Sequence, residues 1–230
     1  MRYEFVFLDA DDTLYDFPAA EKSAFCGALK HFKLSADSDI YATYHHINEQ
    51  LWKKLERGEI TQEALRLQRF EELFATCGIK LDAKDFAPVY LTHLALGAQL
   101  LPGAAELVLA LYGKVRLCIA TNGISEVQRG RIAKSGIAHC FEALLISGEL
   151  GAQKPSALFF KRAFELLGGV DPAKVILLGD SLTSDMRGGK NAGITTCWFN
   201  PAKKPCAQPE LCDYQIHSLS DFPRIIGLDM

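Results

Sequence analysis

The sequence predicts an α/β protein, a doubly wound parallel sheet with a block of helices inserted after its first strand. Three observations carry this. A short apolar run at 4–8 ends abruptly in carboxylates, the stretch from Phe17 to Gly97 shows only helical periodicity, and strand-like and helix-like segments alternate after Pro102-Gly103. Such alternation is what right-handed crossovers between parallel strands require.

The elements follow in order. Glu-Phe-Val-Phe-Leu at 4–8 reads as a buried strand, because a strand covered on both faces needs a continuous apolar run rather than an alternating one. It delivers Asp9-Ala10-Asp11-Asp12 at its carboxyl end. In the next stretch Ile40, Tyr44, Ile47, Leu51 and Leu55 recur every three or four positions, as do Leu67, Phe70, Leu73, Phe74 and Cys77. About four helices fit there. Thr61 is a good N-cap for one, with Ile60 and Leu65 placed to staple it and Gly78 suited to its end. Downstream, helices are expected at 104–112, 125–135, 156–167 and 184–192, and strands at 115–120, 141–146, 175–178, 195–199 and 214–217. The implied division is a core of 1–16 and 99–230 and a helical insertion of 17–98.

A length of 230 residues suits one core with a sizeable insertion, and 49% hydrophobic with 23% charged residues is the composition of an ordinary globular protein. A net charge of -3 with scattered Lys and Arg excludes the footprint of a nucleic-acid polymer binder. The longest apolar stretch, Leu91 to Leu111, is broken by His93, Gln99, Pro102, Gly103 and Glu106, so no membrane span is expected. Seven cysteines without a C-x-x-C pair suggest neither a disulfide framework nor a zinc ribbon. Glu4 stands where a signal peptide needs apolar residues, and the expected location is the cytoplasm. His45-His46 lacks partners at metal-ligand spacing and reads as a helical surface pair.

In open parallel sheets functional groups gather beyond the carboxyl ends of the strands. Three tips here are polar: Asp9-Asp11-Asp12, Thr121-Asn122-Gly123, and Asp180 with Asp185. Gln153-Lys154-Pro155 adds one lysine. Taken singly, each has an ordinary explanation: turn aspartates, a strand-end threonine, a loop lysine, an acid in a helix's first turn. Together they describe one anionic pocket with one cation.

Their order resembles the haloacid dehalogenase-like (HAD) hydrolase superfamily. Asp9-Ala10-Asp11-Asp12-Thr13-Leu14 matches its D-x-D-x-T-L signature, Thr121 its lone Thr or Ser, Lys154 its basic motif, and Gly179-Asp180-Ser181-Leu182-Thr183-Ser184-Asp185 its acidic motif. The resemblance implies a Rossmann-like core, a small helical cap, and a magnesium-dependent phosphatase. Asp9 would be the nucleophile, since an aspartyl-phosphate divides one hard transfer into two easier ones. Asp11 would be the acid and base. Mg2+ would sit on Asp9, Asp180 and the Asp11 carbonyl, with Asp185 bound through water. Thr121, Lys154 and backbone N–H groups near Asn122 would hold the phosphoryl oxygens.

The F-x-D-A-D-D-T-L form of the first motif is similar to that of bacterial 5′-nucleotidases preferring pyrimidine nucleoside monophosphates. A nucleoside monophosphate is thus the implied partner. Phosphoglycolate and sugar-phosphate phosphatases share the same catalytic residues, a phosphomutase would keep both aspartates, and an idle binding module would have lost a motif residue. Asp11 points away from dehalogenases, which need no leaving-group acid. Tyr15 and Phe17 follow the catalytic loop and are expected at the substrate mouth, with further aromatic surface from the helices between Phe25 and Tyr90. Tyr44 and Trp52 are expected in cap packing, and Gly188, Gly189 and Gly193 in close helix contacts.

Overall fold

The computed structural model describes residues 2–35 and 37–228, so positions 1, 36, 229 and 230 of the predicted core and insertion lie outside the description. Six strands, β1 (Phe5–Leu8), β2 (Arg116–Thr121), β3 (Ala143–Ile146), β4 (Val175–Gly179), β5 (Thr195–Phe199) and β6 (Tyr214–Ile216), form one sheet. Their order is β3-β2-β1-β4-β5-β6 and every pairing is parallel. The chain winds outward from β1 in one direction and then returns to wind in the other, which places the topological switch point between β1 and β4.

Strand β1 shows why its sequence is apolar throughout. Val6 and Leu8 face one layer, with Leu107, Val108 and Leu111 of α5 (Ala104–Leu111), whereas Phe5 and Phe7 face the other, with Phe159, Phe160 and Ala163 of α8 (Ala157–Leu166). Each phenylalanine buried in this way stabilises the fold by about 1.5–3 kcal/mol. The strand thereby fixes the position of whatever follows Leu8.

Among the described residues the insertion contains four helices, α1 (Phe17–His31), α2 (Ser38–Glu56), α3 (Gln62–Cys77) and α4 (Ala83–Leu94), packed around a separate aromatic cluster. Phe25 stacks on Tyr44 at 4.5 Å between ring centroids, and Tyr44 on Phe70 at 5.5 Å. Helix α3 begins and ends as its sequence requires: the Ala64 N–H donates to Thr61 Oγ1 at 3.1 Å, Ile60 packs with Leu65, and Gly78 takes the left-handed conformation at φ 65°. Two crossings join this layer to the sheet, and they pair with each other through Asp16 N–H to Gln99 O at 3.0 Å and Leu101 N–H to Leu14 O at 2.9 Å.

The rest of the chain supplies α6 (Ser125–Lys134), α7 (Ser147–Leu150), α9 (Arg187–Asn191) and α10 (Phe222–Ile225). The helix expected at 184–192 starts instead as a π-helical turn, Leu182–Met186, that runs into α9. A Cβ at Gly189 would lie 2.5 Å from Thr196 Cγ2, and one at Gly188 3.0 Å from the Phe160 ring, so both glycines serve close packing. Gly193 does not; its φ of 72° is the constraint, and nothing crowds its Cβ position. Among the described residues, no helix is long and apolar enough to cross a membrane.

Candidate active site

The site lies at the switch point because three strand ends and one loop converge there. The Asp9 N–H donates to Leu178 O at 2.9 Å, continuing the β1–β4 ladder by one residue and leaving the carboxylate at the sheet edge. Lys154 reaches it from the loop before α8. Its ammonium donates to Asp9 Oδ1 at 2.7 Å, to Asp185 Oδ1 at 2.6 Å and to Ala120 O at 2.6 Å. All three lysine protons are therefore committed within the protein, which makes Lys154 a clamp on two carboxylates and leaves no free donor for a phosphoryl oxygen.

Asn122 lines the cavity, and its side chain has a further role. Its side chain accepts from the Lys154 N–H at 2.9 Å and donates to the Lys154 carbonyl at 2.9 Å, so it holds the lysine loop. Thr121 Oγ1 accepts from the Gly123 N–H at 3.0 Å and from Gln128 Nε2 at 3.3 Å. Both bonds fill its acceptor sites and leave the hydroxyl proton uncommitted.

The acidic motif is shaped by its glycine and its turn. The π-helical turn brings Asp185 back under the strand end, where Oδ2 accepts from the Ser181 N–H at 3.1 Å. A Cβ at Gly179 would stand 2.4 Å from the Asp185 carboxyl carbon, so only glycine permits this return. Asp180 is anchored by Trp198 Nε1, which donates to its carbonyl at 2.7 Å, and Thr13 Oγ1 donates to its carboxylate at 3.4 Å.

Asp9, Asp180 and Asp185 offer carboxylate oxygens that all lie within 4.8 Å of one another. Burial pushes the Asp9 carboxyl up to about 8; Lys154 works against the rise, and Asp185 and Asp11 add to it. Asp180 is raised well above the usual range, chiefly by burial and then by Asp9 and Asp185. Burial would lower the Lys154 ammonium, but Asp185 and Asp9 outweigh it and keep it charged. Three acids against one base leave surplus negative charge among hard oxygen donors, and this donor set fits magnesium. Asp185 thus stands directly beside Asp9 and Asp180 in the side-chain cluster, where contact through water was expected, and the Asp11 carbonyl is a backbone donor that this side-chain set does not include.

Asp11 points elsewhere. Its Oδ2 accepts from Gln128 Nε2 at 2.6 Å, and its Oδ1 pairs with the guanidinium of Arg131, a fully buried side chain. No sequence motif marks Gln128 or Arg131. Only the fold shows that two of the four buried residues of α6 (Val127, Gln128, Arg131, Ile132) are polar. Asp12 follows with a left-handed φ of 60°, which an aspartate tolerates better than most residues, and burial raises its carboxyl to about 6.

A cavity of about 220 Å³ opens over these groups, lined by Asp9, Asp11, Asp12, Thr121, Asn122, Lys154, Asp180 and Asp185 below and by Phe17, Trp52 and Glu56 above. Of the two residues expected at the mouth, Phe17 is there and Tyr15 is not. Tyr15 is 0% exposed, packed in the sheet core with the Arg131 guanidinium 4.7 Å over its ring. Trp52 packs, as expected, against the cluster of Leu51, Leu55 and Leu65, and it also lines the cavity because the C-terminal part of α2 overhangs the strand ends. The rings of Phe25, Tyr44, Phe70 and Tyr90 are consumed within the helical layer and offer no surface to a substrate. Thr183 Oγ1 donates to Glu56 at 3.1 Å, Gln153 Nε2 to Leu55 O at 2.6 Å and Gln62 Nε2 to Asn122 O at 3.0 Å, seating the helices on the core.

An acidic, lysine-clamped pocket at the switch point of a parallel sheet, roofed by inserted helices, is the architecture of a capped hydrolase. Comparison with known proteins supplies the family: residues 3–193 match the haloacid dehalogenase-like hydrolase model, and the chain belongs to that family. It is 39% identical to the pyrimidine 5′-nucleotidase PynA of Streptococcus pneumoniae over 226 residues, covering 96% of this chain and 94% of that one. It is 32% identical to the pyrimidine 5′-nucleotidase YjjG of Escherichia coli, covering 91% of each. The crystal structure of the HAD-hydrolase YfnB of Bacillus subtilis bound to magnesium superposes with a TM-score of 0.92 at 34% identity, covering 99% of this chain and 100% of that one. Within the family the chain stands with the phosphatases.

Proposed function

We propose that this phosphatase is a magnesium-dependent phosphomonoesterase that forms an aspartyl-phosphate on Asp9, and that its preferred substrates are pyrimidine nucleoside 5′-monophosphates. The observation that carries the chemistry is the Asp9 carboxylate, held by Lys154 and facing a cavity with room for a phosphoryl group, with Asp11 two residues on. An Asp9 oxygen attacks phosphorus while the departing oxygen takes a proton from Asp11. Water then gives a proton to the Asp11 carboxylate and attacks phosphorus, which frees Asp9 and releases phosphate. The uncommitted Thr121 proton serves a phosphoryl oxygen, and Lys154 orients the nucleophile. Magnesium, held by Asp9 and Asp180 with the Asp11 carbonyl, would offset phosphoryl charge, with Asp185 acting through water or directly.

Removal of the metal is expected to abolish turnover, and added magnesium to restore it. Because activity alone does not locate the ion, binding is read by calorimetry: Asp180→Asn should weaken magnesium binding by about tenfold or more. Equal affinity in the variant would remove Asp180 from the ligand set.

Substrate preference must come from residues outside the phosphoryl pocket, and we take the helices of 17–98 as the cap that provides them. Phe17 and Trp52 give the cavity an aromatic upper wall, and a neighbouring groove of about 670 Å³ shares Trp52, Glu56 and Ser181 with it. A planar base fits such a wall, and stacking of about 1–3 kcal/mol shifts preference by roughly ten- to a hundredfold. The similarity to PynA and YjjG supports the same reading, and a nucleoside monophosphate pool agrees with the cytoplasmic location expected. In a screen of nucleotides, sugar phosphates and phosphoglycolate, pyrimidine nucleoside 5′-monophosphates should give the highest kcat/KM, and Trp52→Ala should lower their kcat/KM about tenfold while sparing phosphoglycolate. A hexose phosphate or phosphoglycolate above every nucleotide would overturn the nucleotidase reading and leave the phosphatase reading in place.

A further inference from the structure

We propose that Arg131 and Gln128 are positioning residues that set the orientation of Asp11 and make it depend on how the helical layer is seated. The proposal rests on the phosphomonoesterase reading above. Both oxygens of the Asp11 carboxylate are engaged, one by each residue, and the two donors lie three positions apart on the buried face of α6. A carboxylate held at both oxygens has its plane fixed, and proton transfer to a leaving oxygen is sensitive to such placement.

The partners of these two side chains tie Asp11 to the rest of the site. Gln128 also donates to Thr121 Oγ1 at 3.3 Å, so one amide spans the acid–base residue and the phosphoryl-facing hydroxyl. The chain leaves room for it: a Cβ at Gly123 would lie 2.0 Å from Gln128 Nε2. Arg131 donates from Nε to Gly97 O at 2.8 Å and covers the Tyr15 ring at 4.7 Å. Tyr15 and Gly97 belong to the two crossings between sheet and helices, where Tyr15 bridges Leu100 and Asp16 bonds Gln99. Displacement of either crossing therefore displaces the guanidinium that holds Asp11.

Packing alone does not account for this pair. Arg131 Nη2 and Gln128 Oε1 are buried with no partner in the protein, a burden that an apolar pair on the same helix face would avoid.

The test compares two esters whose leaving groups differ in their need for a proton. The ratio kcat/KM covers the steps up to aspartyl-phosphate formation. Within that span a nucleoside 5′-oxide must be protonated as it departs, whereas 4-nitrophenolate departs without a proton. Arg131→Met should lower kcat/KM for uridine 5′-monophosphate on the order of 100-fold, and for 4-nitrophenyl phosphate at least tenfold less. Gln128→Leu should show the same asymmetry at about tenfold, and Arg131→Lys should recover part of the loss. Equal losses on the two esters in folded protein, or no loss, overturn the positioning role, since a merely structural defect does not sense the leaving group. If Arg131→Met fails to fold, the asymmetry in Gln128→Leu decides. A wild-type protein that cleaves neither ester overturns the phosphomonoesterase reading itself, and a working enzyme with equal losses overturns only the role of these two residues.

Discussion

Asp9→Asn is expected to lower turnover on the order of 10⁴-fold or more, as removal of a nucleophile that acts with its neighbours as a unit does. The same substitution should leave the fold intact and, in chelator, raise the melting temperature by a few degrees. The sign follows from the Asp9 carboxyl standing at about 8 rather than its usual 3.8. A carboxyl raised by folding stabilises the protonated state, so stability falls as pH rises from the unfolded value toward 8, and at pH 7 an amide escapes most of that loss. Excess magnesium should reverse the order, because an ion bound by the native carboxylates stabilises the wild type by mass action and the variant much less. Thermal melts with and without magnesium, alongside single-turnover assays, check both halves. Substantial turnover in folded Asp9→Asn would refute the covalent mechanism.

The parts of this molecule that could be read in advance are those where one local rule governs. The run at 4–8 had to be a strand buried on both faces, and its alternate side chains do serve two separate cores. Thr61 and Gly78 set the limits of α3 because capping is decided within a few residues. The acidic motif was visible as composition, but its π-helical turn was not, since nothing in Leu182–Met186 departs from an ordinary helix sequence.

The sequence is silent where the deciding contact lies far along the chain. Tyr44 and Trp52 sit on one helix, yet Tyr44 is enclosed by Phe25 and Phe70 while Trp52 packs against Leu51, Leu55 and Leu65 and also reaches over the strand tips, a second role set by contacts with the core. Tyr15 is adjacent to the catalytic loop in sequence, but its turn, closed by the Tyr15 N–H on Ala10 O at 2.9 Å, folds the ring inward. Gln128 and Arg131 meet Asp11 across 117 and 120 residues, a distance that no local pattern spans. Lys154 lines the pocket, and only geometry shows that its three protons are already taken.

That saturation gives Lys154→Met a large expected effect on both stability and activity. Methionine has similar length and removes the charge, leaving Asp9 and Asp185 buried with their shared cation gone. Breaking a buried pair from one side costs about 3–5 kcal/mol, because the remaining charge stays desolvated. Here two acids remain. Denaturant unfolding in chelator should show a loss of that size, and turnover should fall on the order of 10³-fold as the nucleophile loses its orientation. Asp185→Asn in the Lys154→Met background separates the two effects. It removes a buried acid that has lost its cation, so stability should recover by about 1–3 kcal/mol, a coupling expected for residues that share a partner. Activity should stay low, since the Asp9 oxygen still lacks its donor. Recovery of turnover together with stability would show that Lys154 acts only by neutralising Asp185, and that the Asp9 contact is incidental.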